Sequence, residues 1–297
     1  MHWTGKVDPI AFYVGSKGIA WYGIFITCGM LLALWVATRR MKRMKVSTDQ
    51  MMTLFLIVIP AAVIAARLGY VVANYGHYFV KPYDWKAFVN TIAIWEGGLT
   101  ILWGVPGGAL MGLVWCKVTK KDFVRAADII LPVALLAQAI GRWGNFMNQE
   151  LYGQIVTDPA HQWFPLAVYI ADLESWCQAT FFYEFVLDLV GFGVLSVLYK
   201  RVNVKGFGLL GYAAWYTLTR AILEFFRVEE NSFEQKLGFN LVQVICFAVA
   251  AACVVAIVVL CLYKQLKKGQ KVWYAHGFDI EQPREPDDLA EQQDANA

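Results

Sequence analysis

Between Gly141 and Gly153 the chain reads Gly-Arg-Trp-Gly-Asn-Phe-Met-Asn-Gln-Glu-Leu-Tyr-Gly. Here Arg142, Asn145, Asn148 and Glu150 close an apolar stretch that begins near Ile129. An arginine at a helix centre costs about 2.5–3.5 kcal/mol or more in a bilayer, so it is kept where it pairs internally or grips a charged ligand. Its planar fork matches a phosphate, and membranes carry phosphates in their headgroups. Gly141, Gly144 and Gly153 allow close backbone approach and a tight exit. These residue types suit a phospholipid-headgroup site. They also suit a structural Arg–Glu pair with asparagine caps that ends the helix.

A second polar group follows in Tyr216, Arg220, Glu224 and Arg227. Spacings of four and three put these side chains on one helical face. Arg220 and Glu224 could satisfy each other as an i,i+4 pair. Two arginines that face one cavity, Arg142 and Arg220, fit one bound phosphate better than they fit each other. Weaker candidates are Arg67, Tyr183, Glu184, Asp188 and Gln243. Tyr22, in Trp21-Tyr22-Gly23, reads first as an interfacial anchor. The glycines after Glu96 (Gly97, Gly98) could serve only close helix packing. The four histidines (His2, His77, His161, His276) lie outside the apolar stretches, and there is neither a Gly-x-Ser-x-Gly nor a His-Glu-x-x-His motif. That disfavours an intramembrane Ser–His hydrolase and a zinc protease.

The elements that must hold these groups are set by composition. Of 297 residues, 58% are hydrophobic and 16% charged, and mean hydropathy is +0.46. Soluble domains carry about 25% charged residues, so the chain is expected to be an all-α polytopic membrane protein. Seven apolar stretches, at about 18–38, 50–74, 97–118, 128–148, 180–200, 206–227 and 238–263, can each cross a bilayer. A net charge of +3 is too small to imply a nucleic-acid partner.

Lys and Arg concentrate after the first, third, fifth and seventh stretches, as in Arg39, Arg40, Arg43, Lys120, Lys121, Lys200, Arg201, Lys264 and Lys268. The positive-inside rule therefore puts the N-terminus outside and the C-terminus in the cytoplasm. No cleavable signal peptide is evident. Six cysteines lack Cys-x-x-Cys spacing, so neither a disulfide framework nor a metal site is expected. Residues 75–95 are rich in aromatics and are expected to form an external arm, and residues 149–179 an external cap. The bundle occupies 1–263, and 264–297 is expected to be a disordered cytoplasmic tail. No internal repeat supports a transporter built on inverted repeats.

Taken together these residues resemble the prolipoprotein diacylglyceryl transferase family of bacterial inner-membrane enzymes. The family signature, Gly-Arg-x-Gly-Asn-Phe-x-Asn-x-Glu-x-x-Gly, is filled at every fixed position from Gly141 to Gly153. Asp8-Pro9, Trp21-Tyr22-Gly23, Arg67-Leu68-Gly69-Tyr70, Trp95-Glu96-Gly97-Gly98-Leu99, Tyr183-Glu184 and the Tyr216–Arg227 stripe agree with it. The resemblance implies a seven-span bundle that moves the diacylglyceryl group of phosphatidylglycerol to the lipobox cysteine of a prolipoprotein, with no cofactor and no metal. Arg142 and Arg220 would then take the phosphate. Asn145, Asn148 and Glu150 would hold the glycerol head and the arginines. Glu224 would orient Arg220, and Tyr22 and Tyr216 would donate to lipid oxygens. Gly153 and Arg227 would belong to the substrate-binding set. Two departures stand out. Leu102 occupies the place where many members carry His or Tyr, and Gln178-Ala179 replaces a His-Pro before Tyr183. The thiol proton then goes to a Tyr, to a Glu, or to no dedicated base. A lipid flippase using the same phosphate site, and a non-catalytic receptor, are the competing readings.

Overall fold

The computed structural model describes residues 7–78, 85–94, 97–226, 240–267 and 271–273. Long helices stand at all seven places where apolar stretches predict them. They are α1 (Trp21–Met41), α2 (Thr48–Ala73), α5 (Ile101–Val118), α6 (Phe123–Met147), α7 (Thr180–Arg201), α8 (Phe207–Glu224) and α9 (Leu241–Lys267). Two short helices, α3 (Tyr75–Tyr78) and α4 (Trp85–Ile92), fall in the expected arm. Six of the long helices are apolar enough to cross a membrane; α8 is the exception, because the stripe through Tyr212, Tyr216, Arg220 and Glu224 lowers its hydropathy. The chain is a helical polytopic membrane protein. It divides into two compact units, Met1–Ala37 with Ala127–Ala297, and Thr38–Ala126.

In the second unit, α2 opens with a capping box between Ser47 and Gln50 and packs along α5. Small residues set that distance: a Cβ on Gly107 would lie 2.3 Å from the Ala65 side chain. The third stretch was expected to be helical from 97. The helix begins at Ile101 instead, because Gly97 and Gly98 take φ of +84° and +69°, which favours glycine and turns the chain.

In the first unit, β1 (Ile10–Val14) and β2 (Lys17–Ala20) form a hairpin. Its base is tied to α1 by a hydrogen bond from Trp21 N to Pro9 O, 2.9 Å. A second hairpin, β3 (Ala167–Ile170) with β4 (Ser175–Gln178), lies between α6 and α7. Val168, Ile170, Cys177, Ala179 and Phe181 are buried there, and Trp143, Phe146 and Phe164 pack against them. This aromatic cluster is the apolar glue between the end of α6 and the start of α7. Neither hairpin was legible as a helical period.

The relation of α6 to α8 positions the polar groups. Asp128 of α6 is buried and accepts from Gly206 N at 2.8 Å and Leu209 N at 2.9 Å. Gly206, with φ of +92°, has no capping side chain of its own, so the α8 N-terminus is capped from a neighbouring helix. At the opposite ends, Gln154 N donates to Phe226 O at 2.9 Å. Midway, Gln138 Nε2 donates to the Tyr212 hydroxyl at 3.0 Å. The cap at Asp128 and the Gln138–Tyr212 contact come in the same order along both helices, so α6 and α8 run parallel. α9 packs along α8, and Lys264 Nζ closes its far end on Asn203 O at 2.6 Å.

Candidate functional site

Arg142 Nε donates to Glu184 Oε2 at 2.5 Å, and the two side chains are 20% and 6% exposed. The ion-pair partner of Arg142 is thus Glu184, which the sequence offered only as a weaker candidate, beside Asn145, Asn148 and Glu150, which were expected to hold the glycerol head and the arginines. The aromatic cluster draws α7 against α6: Trp143 meets Phe181 and Phe185 edge-on at 5.6 Å. Glu184, on the same stretch of α7, thereby becomes the carboxylate next to Arg142. Asp188, one turn further on and buried, lies within electrostatic reach of Arg142, Glu184 and Tyr212. Tyr212 stacks on Tyr216 with ring centroids 6.1 Å apart. Gln138, Arg142, Glu184, Asp188, Tyr212 and Tyr216 thus make a polar ladder between α6, α7 and α8. Each rail repeats every four residues, which is one helical turn.

The rest of the signature run folds back on itself. Glu150 Oε1 accepts from Asn145 Nδ2 at 2.8 Å and Asn148 Nδ2 at 3.4 Å. Glu150 N donates to Asn145 O at 3.0 Å. Gln149 and Leu151 adopt φ of +51° and +55°, so the chain leaves the helix there. Asn145 is buried, whereas Asn148 and Glu150 are exposed. The asparagine side chains thus gather on Glu150 rather than on the backbone of α6. Tyr22, 36% exposed, lies on Gly144, where a Cβ would come within 2.6 Å of its ring. It feels the charges of both Glu150 and Arg142. Tyr22, Arg142, Asn145 and Glu150 are thus brought together.

Gly153 is placed by packing. It is buried, and a Cβ there would stand 2.7 Å from Phe226 O and 2.8 Å from the Thr180 methyl. Its N–H donates to Gln178 O at 3.0 Å. It lets the run pass between the start of α7 and the end of α8. Gln243 is likewise a packing tie, from its Nε2 to Ala221 O at 3.0 Å.

On α8, Arg220 Nη1 donates to Glu224 Oε2, with 22% and 12% of the side chains exposed. The other oxygen of Glu224 accepts from Asn240 Nδ2 at 3.0 Å. The local pair is therefore made, as the i,i+4 spacing allows. Arg227 lies outside the described residues. Arg142 lies one turn past Gln138 and Arg220 two turns past Tyr212, the two residues joined midway, so Arg220 stands about 6 Å further along its helix than Arg142.

In the second unit, Arg67 is buried and spends its fork on backbone. It donates to Thr91 O (3.0 Å), Gly97 O (2.6 Å), Gly98 O (3.1 Å) and Asn90 O (2.5 Å). The Tyr70 and Tyr78 rings flank it at 5.8 and 5.4 Å. Leu102 is 79% exposed. Among the described residues no three His, Cys, Asp or Glu side chains are grouped to hold a metal ion, and all six cysteines are free. Sequence reasoning ranked Glu184 and Asp188 too low and did not single out Asp128, Gln138 or Tyr212. The four-residue spacings of Gln138–Arg142, Glu184–Asp188 and Tyr212–Tyr216 were the available signal.

A helical multi-pass membrane protein with a ladder of buried polar and charged groups between three helices is built as an intramembrane enzyme is. The family model for prolipoprotein diacylglyceryl transferase matches residues 9–259. The chain belongs to the prolipoprotein diacylglyceryl transferase family, and it is a transferase. It is 36% identical over 254 residues to a Bacillus licheniformis protein, covering 84% of this chain and 92% of the relative. To one from Lactobacillus delbrueckii subsp. bulgaricus it is 33% identical over 288 residues, 95% and 99% of the two chains. To one from Limosilactobacillus reuteri it is 37% identical over 232 residues, 75% and 81%. All three relatives are phosphatidylglycerol–prolipoprotein diacylglyceryl transferases.

Proposed function

We propose that this chain transfers the diacylglyceryl group of phosphatidylglycerol to the lipobox cysteine thiol of prolipoproteins, the first step of lipoprotein maturation. The thiol loses its proton, sulfur bonds to the glycerol carbon, and the carbon–oxygen bond to phosphate breaks. A thioether and glycerol phosphate result. The observation that carries the reading is that Arg142 and Arg220, each ion-paired to a largely buried glutamate, keep 20% and 22% of their side chains accessible. Two such guanidinium forks can bind the phosphate and stabilise it as it leaves.

In this reading Arg142 and Arg220 clamp the phosphate, and Glu224 with Asn240 keeps Arg220 in place. Asn145, Asn148 and Glu150 face the glycerol head, and Tyr22 and Tyr216 donate to lipid oxygens. Arg227 extends the cationic stripe of α8. The base is left to a Tyr, a Glu or none, since Leu102 has nothing to accept a proton. The reaction calls for no cofactor. The protein sits in the bacterial inner membrane with its N-terminus outside and its C-terminus in the cytoplasm, by the distribution of Lys and Arg.

The direct test is incubation of purified protein with phosphatidylglycerol and a lipobox peptide. A diacylglyceryl mass gain on the peptide cysteine is expected. Its absence with folded protein and both substrates present would remove the proposal.

A further inference from the structure

We infer that Glu184 is a positioning residue for the transfer: by holding Arg142 Nε it aims the two Nη nitrogens at the lipid phosphate. The inference rests on the phosphate reading of Arg142. Glu184 was not among the partners expected for either arginine, and the structure pairs it with Arg142.

A guanidinium offers two bonding edges. Glu184 meets Arg142 on Nε at 2.5 Å, which leaves the Nη pair for a second anion. Glu150, the nearest acidic residue in sequence, is already engaged by Asn145 and Asn148. The side chain of Glu184 is only 6% exposed, so its contact with Arg142 is little screened by water. The start of its helix is tied to the signature run twice. The Thr180 hydroxyl donates to Leu151 O, and Gly153 N donates to Gln178 O at 3.0 Å. Phe181 is buried among Trp143 and Phe146. Glu184 is therefore set by the same contacts that end α6, and Arg142 is aimed from a rigid base.

Asp188 defines what happens when Glu184 is removed. It is the next carboxylate on α7, one turn away, and already within reach of the Arg142 charge. Without Glu184 the fork tips toward Asp188, about 6 Å along the helix, and away from the phosphate.

The test uses full-length protein in detergent, with binding of headgroup-labelled phosphatidylglycerol and steady-state transfer to a lipobox peptide. Glu184→Gln is expected to weaken lipid binding and raise the lipid KM by about 10- to 100-fold, the range for a group misplaced by about 1 Å. The peptide KM stays unchanged. Glu184→Asp, which keeps the charge, recovers part of the loss. Arg142→Lys also weakens lipid binding, and Arg142→Lys/Glu184→Gln is no weaker than Arg142→Lys alone, within about twofold. Wild-type lipid affinity in Glu184→Gln, or a full multiplication of the two losses in the double variant, would overturn the inference. If Glu184→Gln fails to fold, Arg142→Lys/Glu184→Asp replaces the double variant, and a full multiplication of the losses of its two single variants overturns it equally. Wild-type affinity in Arg142→Lys would instead strike the phosphate reading itself, so the two failures are distinguishable.

Discussion

The Asp128 carboxylate of α6 caps Gly206 at the start of α8, at 2.8 Å. This contact ties the start of α8 to α6, the two helices that carry the arginines. A cap borrowed from a neighbour does two jobs at once: it satisfies backbone donors that have no partner in their own helix, and it fixes one helix against another.

Asp128→Ala removes two acceptors from a buried helix end. A cost of about 1–3 kcal/mol is expected, together with a loss of transfer activity larger than the loss of stability explains. Asn at 128 should recover part of both. Thermal melts and transfer rates on the same samples check this, and an Asp128→Ala protein with wild-type melting would show that α8 is held elsewhere.

Arg142→Ala and Arg220→Ala should each lower transfer by about 100-fold or more, the range seen when a donor to developing negative charge is lost. Membrane insertion should persist, since neither side chain drives it. Wild-type turnover in either variant would break the phosphate clamp.

Arg67→Lys should act on structure. Lysine cannot reproduce a fork that serves four carbonyls, and each buried carbonyl left bare costs about 1–3 kcal/mol. Hydrogen exchange should rise over residues 90–94 and 97–98. Unchanged exchange there would show that those carbonyls find other donors.

Leu102→Ala should change transfer by about twofold at most, as for an exposed position away from special contacts. A folded but inactive variant would place substrate against Leu102.

Cys177 is fully buried, and burial pushes its thiol up from the usual range. Less thiolate forms at neutral pH, so maleimide should label it only after unfolding. A variant with all six cysteines replaced by Ala should retain transfer, because the reacting thiol belongs to the substrate. Folded but inactive protein would point to a covalent enzyme thiol.

Much of the fold and part of the site could be read from residue order. The apolar stretches place seven helices to within a few residues, because bilayer thickness sets a length that hydropathy records directly. The Arg220–Glu224 pair was legible because i,i+4 geometry is local to one helix. The run from Gly141 to Gly153 was legible as a site because polar residues that close a membrane span are costly.

What the chain order could not decide was which helix faces which. Periodicity tells that a stripe turns inward, and it is silent on the neighbour it meets. The partner of Arg142 proved to be Glu184 because aromatic packing of Trp143 on Phe181 sets α7 against α6. Gly153 proved to be a crossing point because Phe226 and Thr180 come from elements far along the chain. Such pairings are products of three-dimensional packing, where contact depends on the fit of whole surfaces rather than on any local spacing.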